Sequence, residues 1–385
     1  MAEVSKAEGG MAADIQGLTP RVASGPDISI EELQLAARNH SMPLEALRYD
    51  ITPVGMHYLL IHWDIPSVDP AGWRLTLGGS VSEQLSLTLA DLKGLPKVSS
   101  QVTLECAGNG RALFTPRPVS QPWLLEAVGN AEWTGTPLRA LIEAARPLAR
   151  AAEVVFTGLD RGVQGGIEQQ YERSLSLTEA SRAEALLAYE MNGLPLTPQH
   201  GFPLRLVVPG WYGMAQVKWL HSITLVDEPF RGYQQEPAYH VASSDEDLGN
   251  PVTRILPRSL MVPPGIPDFI SRIRYLSPGS CVLEGRAWSG HGHINQVRVS
   301  TGGGLDWANA ELGPQVSEFS WRPWRYVWHA EAGEYELCCR AADSAGNIQP
   351  LTTEWNAQGM CNNAVQRVRV VVGTGVVPVQ SPAGP

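Results

Sequence analysis

Hydrophobic and polar positions follow two different patterns along this chain, and the change falls near residue 250. Before it, short apolar runs such as Val154-Val155-Phe156 and Leu204 to Val208 read as buried strands. They alternate with helical pieces. Thr88-Leu89-Ala90-Asp91 has the form of a capped helix start. Thr136-Pro137 places a cap and a first-turn proline ahead of Leu138, Leu141, Ile142 and Ala145, which recur at helical spacing. The segment PRSLMVPPGIPD, starting at Pro257, is too proline-rich for a helix or a central strand and is expected to be the linker.

Beyond that segment the pattern is wholly β. Val297 and Val299 alternate with polar residues and lead into the Gly302-Gly303-Gly304 turn; Tyr335, Leu337 and Cys339 alternate, as do Val368, Val370 and Val372. Regular short strands at this spacing predict an immunoglobulin-like antiparallel β-sandwich, with Trp288, Trp307, Trp321, Trp324 and Trp328 in its core or at an interface. The expected class is α+β. A disordered lead-in over 1–27 precedes a mixed α/β domain over 28–250, the sandwich follows over 251–375, and a tail covers 376–385.

Composition narrows the function. At 43% apolar residues the chain is not disordered. A net charge of −10 argues against nucleic acid or an anionic membrane as partner. No run approaches the roughly 18 apolar residues of a membrane span, and the N-terminal stretch lacks a signal-like apolar core, so the expected compartment is the cytoplasm. Five cysteines without CxxC or Cys/His spacing disfavour both a disulfide framework and a structural zinc site. Cys338 and Cys339, adjacent on a strand, point to opposite faces.

Two constellations carry chemistry. Val102 to Arg111 runs from an apolar strand into a loop of Ala, Gly and Asn with Cys106 at the turn. Such a loop admits a bulky ligand, and Arg111 is expected to lower the thiol pKa. The other reading of the loop is a buried cysteine beside a tight turn. Downstream, His200, Arg205 and Lys218 flank strands and Gly turns, a set that suits a phosphate; the alternative there is solvated surface charge.

Together these segments resemble the sulfite oxidase family of molybdenum enzymes. The motifs are Arg38-Asn39-His40, the Cys-Ala-Gly-Asn segment at Cys106, Gly158-Leu159-Asp160, Tyr189 to Gly193, His200 to Arg205, and Val217-Lys218-Trp219-Leu220, in family order. The resemblance implies a molybdenum ion held by a pyranopterin dithiolene (molybdopterin), with Cys106 as its protein ligand. It implies that Arg38, Asn39, His40, Cys106, Asp160, His200, Arg205 and Lys218 bind this cofactor. It further implies that Arg38, Arg111, Trp123 and Tyr239 surround the substrate, with Cys106, Tyr239, Arg38 and Arg111 catalytic. The activity implied is oxidation of sulfite to sulfate by oxygen-atom transfer, with a homodimer formed through the second domain.

The chain departs from the family pattern at Gln358, in Trp355-Asn356-Ala357-Gln358-Gly359, where relatives carry an arginine. Gln358 is expected to offer the substrate anion a neutral hydrogen bond, and an Arg restored there to tighten sulfite binding. Neither an HPGG-bearing cytochrome b5 domain nor a CxxCH haem site occurs in the sequence. The electron acceptor is therefore expected to be a separate c-type cytochrome or dioxygen, with no haem in this chain. The alternatives are a nitrate reductase-like oxotransferase on the same cofactor and, from another class, a non-catalytic β-sandwich scaffold or adhesion protein.

Overall fold

A computed structural model describes residues 22, 23, 25, 27–244 and 249–373. Most of the lead-in and the whole 376–385 tail lie outside the described residues. What is described of the lead-in is anchored: Val22 bridges Pro118, and the Ala23 amide donates to the Arg117 carbonyl.

Two sheets build the first half. One is antiparallel, with Val98–Glu105, Val128–Pro137 and Leu186–Met191 side by side and Arg205–Val207 paired to Leu186–Met191. The other runs Leu85–Leu87, Leu75–Gly79, Leu220–Val226, Glu153–Gln164, Ile167–Ser176, and its one parallel pair joins Leu75–Gly79 to Leu220–Val226. The apolar run at Val154 lies inside Glu153–Gln164 and is buried. Helices are short. Thr88 and Asp91 close a reciprocal capping box on Leu89–Gly94. The helix Leu138–Ala145 buries the four apolar residues that predict it, yet its cap differs from expectation. Pro137 takes the cap position, and the Thr136 hydroxyl donates instead to the Leu92 carbonyl at 2.9 Å. That bond ties the two helices together.

The second half is two sheets face to face. Arg258–Met261, Gly279–Trp288, Arg322–Ala330 and Glu311–Leu312 form one; Ile266–Pro267, Arg274–Leu276, Gln366–Val372, Gly333–Asp343, Ile294–Ser300 and Ala308–Asn309 form the other. Leu283, Val297, Trp324, Trp328, Leu337, Cys339 and Val370 interlock between them. Cys338, on the opposite face of its strand, is buried outside that core. Two expectations fail here. Arg274–Leu276 runs parallel to Val370–Val372, so the sheets are not wholly antiparallel. The expected linker contains a fully buried strand, Arg258–Met261, which lies at the edge of its sheet and between Pro257 and Pro263, so no proline interrupts its ladder.

Trp288 and Trp321 leave the sandwich core and pack into the apolar cluster of the first half. Trp288 Nε1 donates to Glu105 Oε2 at 2.7 Å, and Arg258 Nε lies 3.0 Å from Glu105 Oε1, with both charged side chains 1% exposed. The acid that precedes Cys106 is thus neutralised from the second half of the chain. Glu105→Ala would strand Arg258 as a buried, uncompensated charge, a loss of about 3–5 kcal/mol. Urea unfolding checks this, and a change below about 1 kcal/mol would mean that water reaches the pair.

Candidate functional site

Cys106 stands one residue past the end of the strand Val98–Glu105. Its amide donates to the Ala127 carbonyl at 2.9 Å, and its carbonyl accepts from the Asn109 amide at 3.0 Å. Asn109 locks the turn: Nδ2 donates to Glu105 Oε1 and to the Leu125 carbonyl, both at 3.0 Å, while Oδ1 accepts from the Ala127 amide. Glycine is required beside the thiol, since a Cβ on Gly108 would lie 2.6 Å from the Arg111 guanidinium.

The thiol separates two cavities. The inner one, about 680 Å³, is lined by Cys106, Asp160, His200, Arg205, Lys218 and Tyr239, together with His57, Tyr58 and Tyr171. Arg205 has no carboxylate partner among the described residues, while Lys218 feels the charge of Asp160. Arg205 is 5% exposed, stacks 4.7 Å above the Trp133 ring, and donates only to the carbonyls of His200 and Gln216. Arg205 Nε and Asp160 Oδ1 are buried without a hydrogen-bond partner among the described residues. Lys218 Nζ donates to the Leu60 carbonyl at 2.7 Å. Burial pushes the Lys218 ammonium down and the Asp160 carboxyl up, while their mutual attraction opposes both shifts.

The outer cavity, about 1590 Å³, shares Cys106, Leu60, His62 and Tyr239 with the inner one. Leu35, Ile61, Trp63, Trp123, Val163 and Met360 share its wall with neutral polar side chains such as Ser120, Gln121, Gln164 and Gln234, and Arg111 is the one formally charged side chain lining it among the described residues. Arg111 is fixed by Gln358 O at 3.1 Å, Gln121 O at 3.2 Å and Met360 Sδ at 3.3 Å. Trp123 is buried and packs with Cys106 and Ala127. Contrary to expectation, the Cys106 thiol is pushed up: burial outweighs the pull of Arg111. Tyr239 hydroxyl lies 2.9 Å from His62 Nε2. Burial raises the tyrosine to about 12 and lowers His62 to about 4, so neither carries charge near neutrality.

The expected residues do not all converge. Cys106, Asp160, His200, Arg205 and Lys218 meet around the inner cavity, and Arg111, Trp123, Tyr239 and Gln358 around the outer one. Arg38 and His40 line neither cavity. Arg38 closes the helix Ile30–Arg38 with an exposed side chain that donates to the Trp63 carbonyl, and His40 is exposed. Asn39 is buried but lines neither cavity; its Oδ1 accepts from the Ile61 amide at 2.6 Å and thereby holds the segment that carries His62. Gln358 Oε1 accepts from the amides of Tyr239 and His240, and its Nε2, the atom that would donate to an anion, gives one N–H to the Pro237 carbonyl and keeps the second. His57, Tyr58, His62 and Tyr171 were not anticipated. No local motif marks them, although two histidines within Gly55 to His62 are a visible signal.

Residues 62–234 match the family model for an oxidoreductase molybdopterin binding domain, and residues 270–373 match that for a Mo-co oxidoreductase dimerisation domain. A sulfite oxidase of Arabidopsis thaliana is 35% identical over 352 residues, covering 84% of this chain and 88% of that protein. The chain belongs to the sulfite oxidase family. The mitochondrial sulfite oxidase of Rattus norvegicus is 35% identical over 341 residues, and the match spans 84% of this chain but 62% of the rat protein. The sulfane dehydrogenase SoxCD from Paracoccus pantotrophus has the same fold, with a TM-score of 0.76 at 23% identity, covering 95% of this chain and 92% of that one. The scaffold alternative falls with this membership.

The site suits the family's molybdenum-molybdopterin cofactor. The buried Arg205 and the half-buried Lys218 would hold its phosphate, and the unpartnered Asp160 oxygen would accept from its ring N–H groups. No three His, Cys, Asp or Glu side chains gather as a metal cage among the described residues, and Cys106 is the one thiol lining both cavities there.

His57 and His200 are each 2% exposed, and burial is the first cause lowering both, His57 to about 4. Each is neutral when folded and protonated when unfolded between its lowered value and about 6.5. The unfolded state therefore binds more protons, and stability falls as pH drops through that window, by about 1.4 kcal/mol per pH unit for each histidine. His200→Gln should flatten the stability profile between pH 6 and 4.5 by that slope. Parallel profiles in urea unfolding would contradict it.

Proposed function

We propose that the protein oxidises sulfite to sulfate and passes the electrons to a separate acceptor, a c-type cytochrome or dioxygen, working as a homodimer in the cytoplasm. The observation that carries this reading is the position of the Cys106 thiol between a cationic inner cavity and an outer cavity faced by Arg111. Bound through Cys106, the molybdenum cofactor supplies oxygen-atom transfer and a store for two electrons. The chain does the rest. Arg111, pinned by three acceptors, offers fixed positive charge to an anion without reorganising. Trp123 and the apolar side chains of the wall dry the approach, which strengthens that attraction. Tyr239, neutral and hydrogen-bonded to His62, presents a hydroxyl where the cavities meet.

One observation favours a second reading. A single formally charged side chain, Arg111, on an otherwise neutral wall among the described residues suits a monoanion or a sulfur compound of low charge better than it suits a dianion. Nitrate reduction on the same cofactor and oxidation of a sulfane sulfur both fit that description. Steady-state rates of the loaded enzyme with sulfite and a cytochrome acceptor, with a sulfane donor and the same acceptor, and with nitrate and a reduced dye separate the three. Sulfite should give the highest kcat/KM; a higher value with nitrate would replace the first reading.

A further inference from the structure

Tyr239 stands in a backbone conformation that side chains rarely adopt, with φ 64. Such strain persists only where neighbours hold it. Here the Val252 amide donates to the Tyr239 carbonyl at 2.8 Å, and one side chain holds the amide side of the residue. Gln358 Oε1 accepts from the Tyr239 amide at 2.7 Å and from the His240 amide at 3.3 Å, and Gln358 Nε2 donates to the Pro237 carbonyl at 3.1 Å. These bonds grip the loop on both sides of the strained residue.

Gln358 is itself held. Asn356 Nδ2 donates to the Met360 carbonyl and Asn356 Oδ1 accepts from the Met360 amide, both at 2.9 Å, closing a turn around it. Gly359 follows at φ +61, where an added Cβ would meet Arg111 Cγ at 2.6 Å. The same turn fixes Arg111 through the Gln358 carbonyl and the Met360 sulfur. One turn thus touches two of the polar side chains that face the outer cavity, Arg111 through its backbone and Tyr239 through its amide.

We propose that Gln358 is a positioning residue: its side-chain amide holds Tyr239 in the left-handed conformation that keeps the hydroxyl against His62 at the junction of the two cavities. This deepens the functional reading above and rests on it only where turnover is concerned. Gln358→Met keeps the length and removes acceptor and donor; Gln358→Glu keeps an acceptor for both amides.

The test is amide hydrogen exchange on the loaded enzyme, read by mass spectrometry over residues 237–242, together with sulfite kinetics. In Gln358→Met the Tyr239 and His240 amides should exchange at least about tenfold faster while the sandwich strands do not change. The kcat should fall about tenfold or more with KM moving less than threefold, a cost of about 1.4 kcal/mol in the barrier. Gln358→Glu should restore both protection and kcat, while its added charge beside Arg111 raises KM. Unchanged exchange in Gln358→Met overturns the proposal. So does faster exchange with unaltered kcat, or faster exchange throughout the chain, since the residue would then be merely structural. A wild-type enzyme inert to sulfite would sink the functional reading alone, because exchange still decides whether Gln358 holds the loop.

Discussion

Arg205→Met should empty the protein of its cofactor while making the empty chain more stable. The guanidinium is 5% exposed, has no carboxylate partner among the described residues, and leaves Nε without an acceptor. Burial lowers its pKa to about 10, so it keeps its proton at neutral pH and the cost of burying that charge stands. An unpaired buried cation is tolerated only where a ligand compensates it. Charge-assisted hydrogen bonds contribute about 1.5–3 kcal/mol each, so losing this one should weaken phosphate retention roughly 10- to 150-fold. Methionine fills much of the same volume and keeps contact with Trp133, and the apo protein should unfold about 2 °C higher or more. Pterin fluorescence after denaturation and a thermal scan of apo protein read the two effects. Full cofactor content would show that Arg205 serves packing; a lower melting temperature in the apo variant would show that its carbonyl bonds outweigh its desolvation.

Cys106→Ser should have the opposite profile: cofactor retained, turnover lost. Asp160, Arg205 and Lys218, the groups proposed to hold the cofactor, line the inner cavity and are not touched by this substitution. A serine hydroxyl is a harder and far less acidic ligand than a thiol. The kcat should fall at least about 100-fold, near 2.7 kcal/mol. The loop should keep its shape, because its hydrogen bonds run through backbone groups and Asn109. A variant that kept a tenth of the wild-type rate would remove Cys106 from the metal.

Much of this was legible in the chain itself, for identifiable reasons. Alternation at Val297, Tyr335 and Val368 is a local signal, and each became a strand. The Cys106 loop was legible because small residues at a strand end constrain the backbone whatever surrounds it. The string Arg38-Asn39-His40 shows a motif, but which way a side chain faces depends on what pairs beside it. His40 forms a backbone bridge with Leu59, and the chain then delivers Leu60 and His62 to the cavities. Gln358 shows a different limit. Its identity shows what hydrogen bonds it can make, and only the fold shows that its oxygen serves the amides of Tyr239 and His240. The contact of Glu105 with Arg258 and Trp288 joins distant parts of the chain, and no spacing rule connects them.

The central claim is that Cys106 joins the protein to molybdenum. X-ray absorption at the molybdenum edge tests it most directly, on wild-type and Cys106→Ser protein isolated with equal metal content. The account predicts that the wild-type sulfur shell contains one scatterer more than the variant's, replaced in the variant by oxygen. Identical sulfur shells in the two proteins would contradict it.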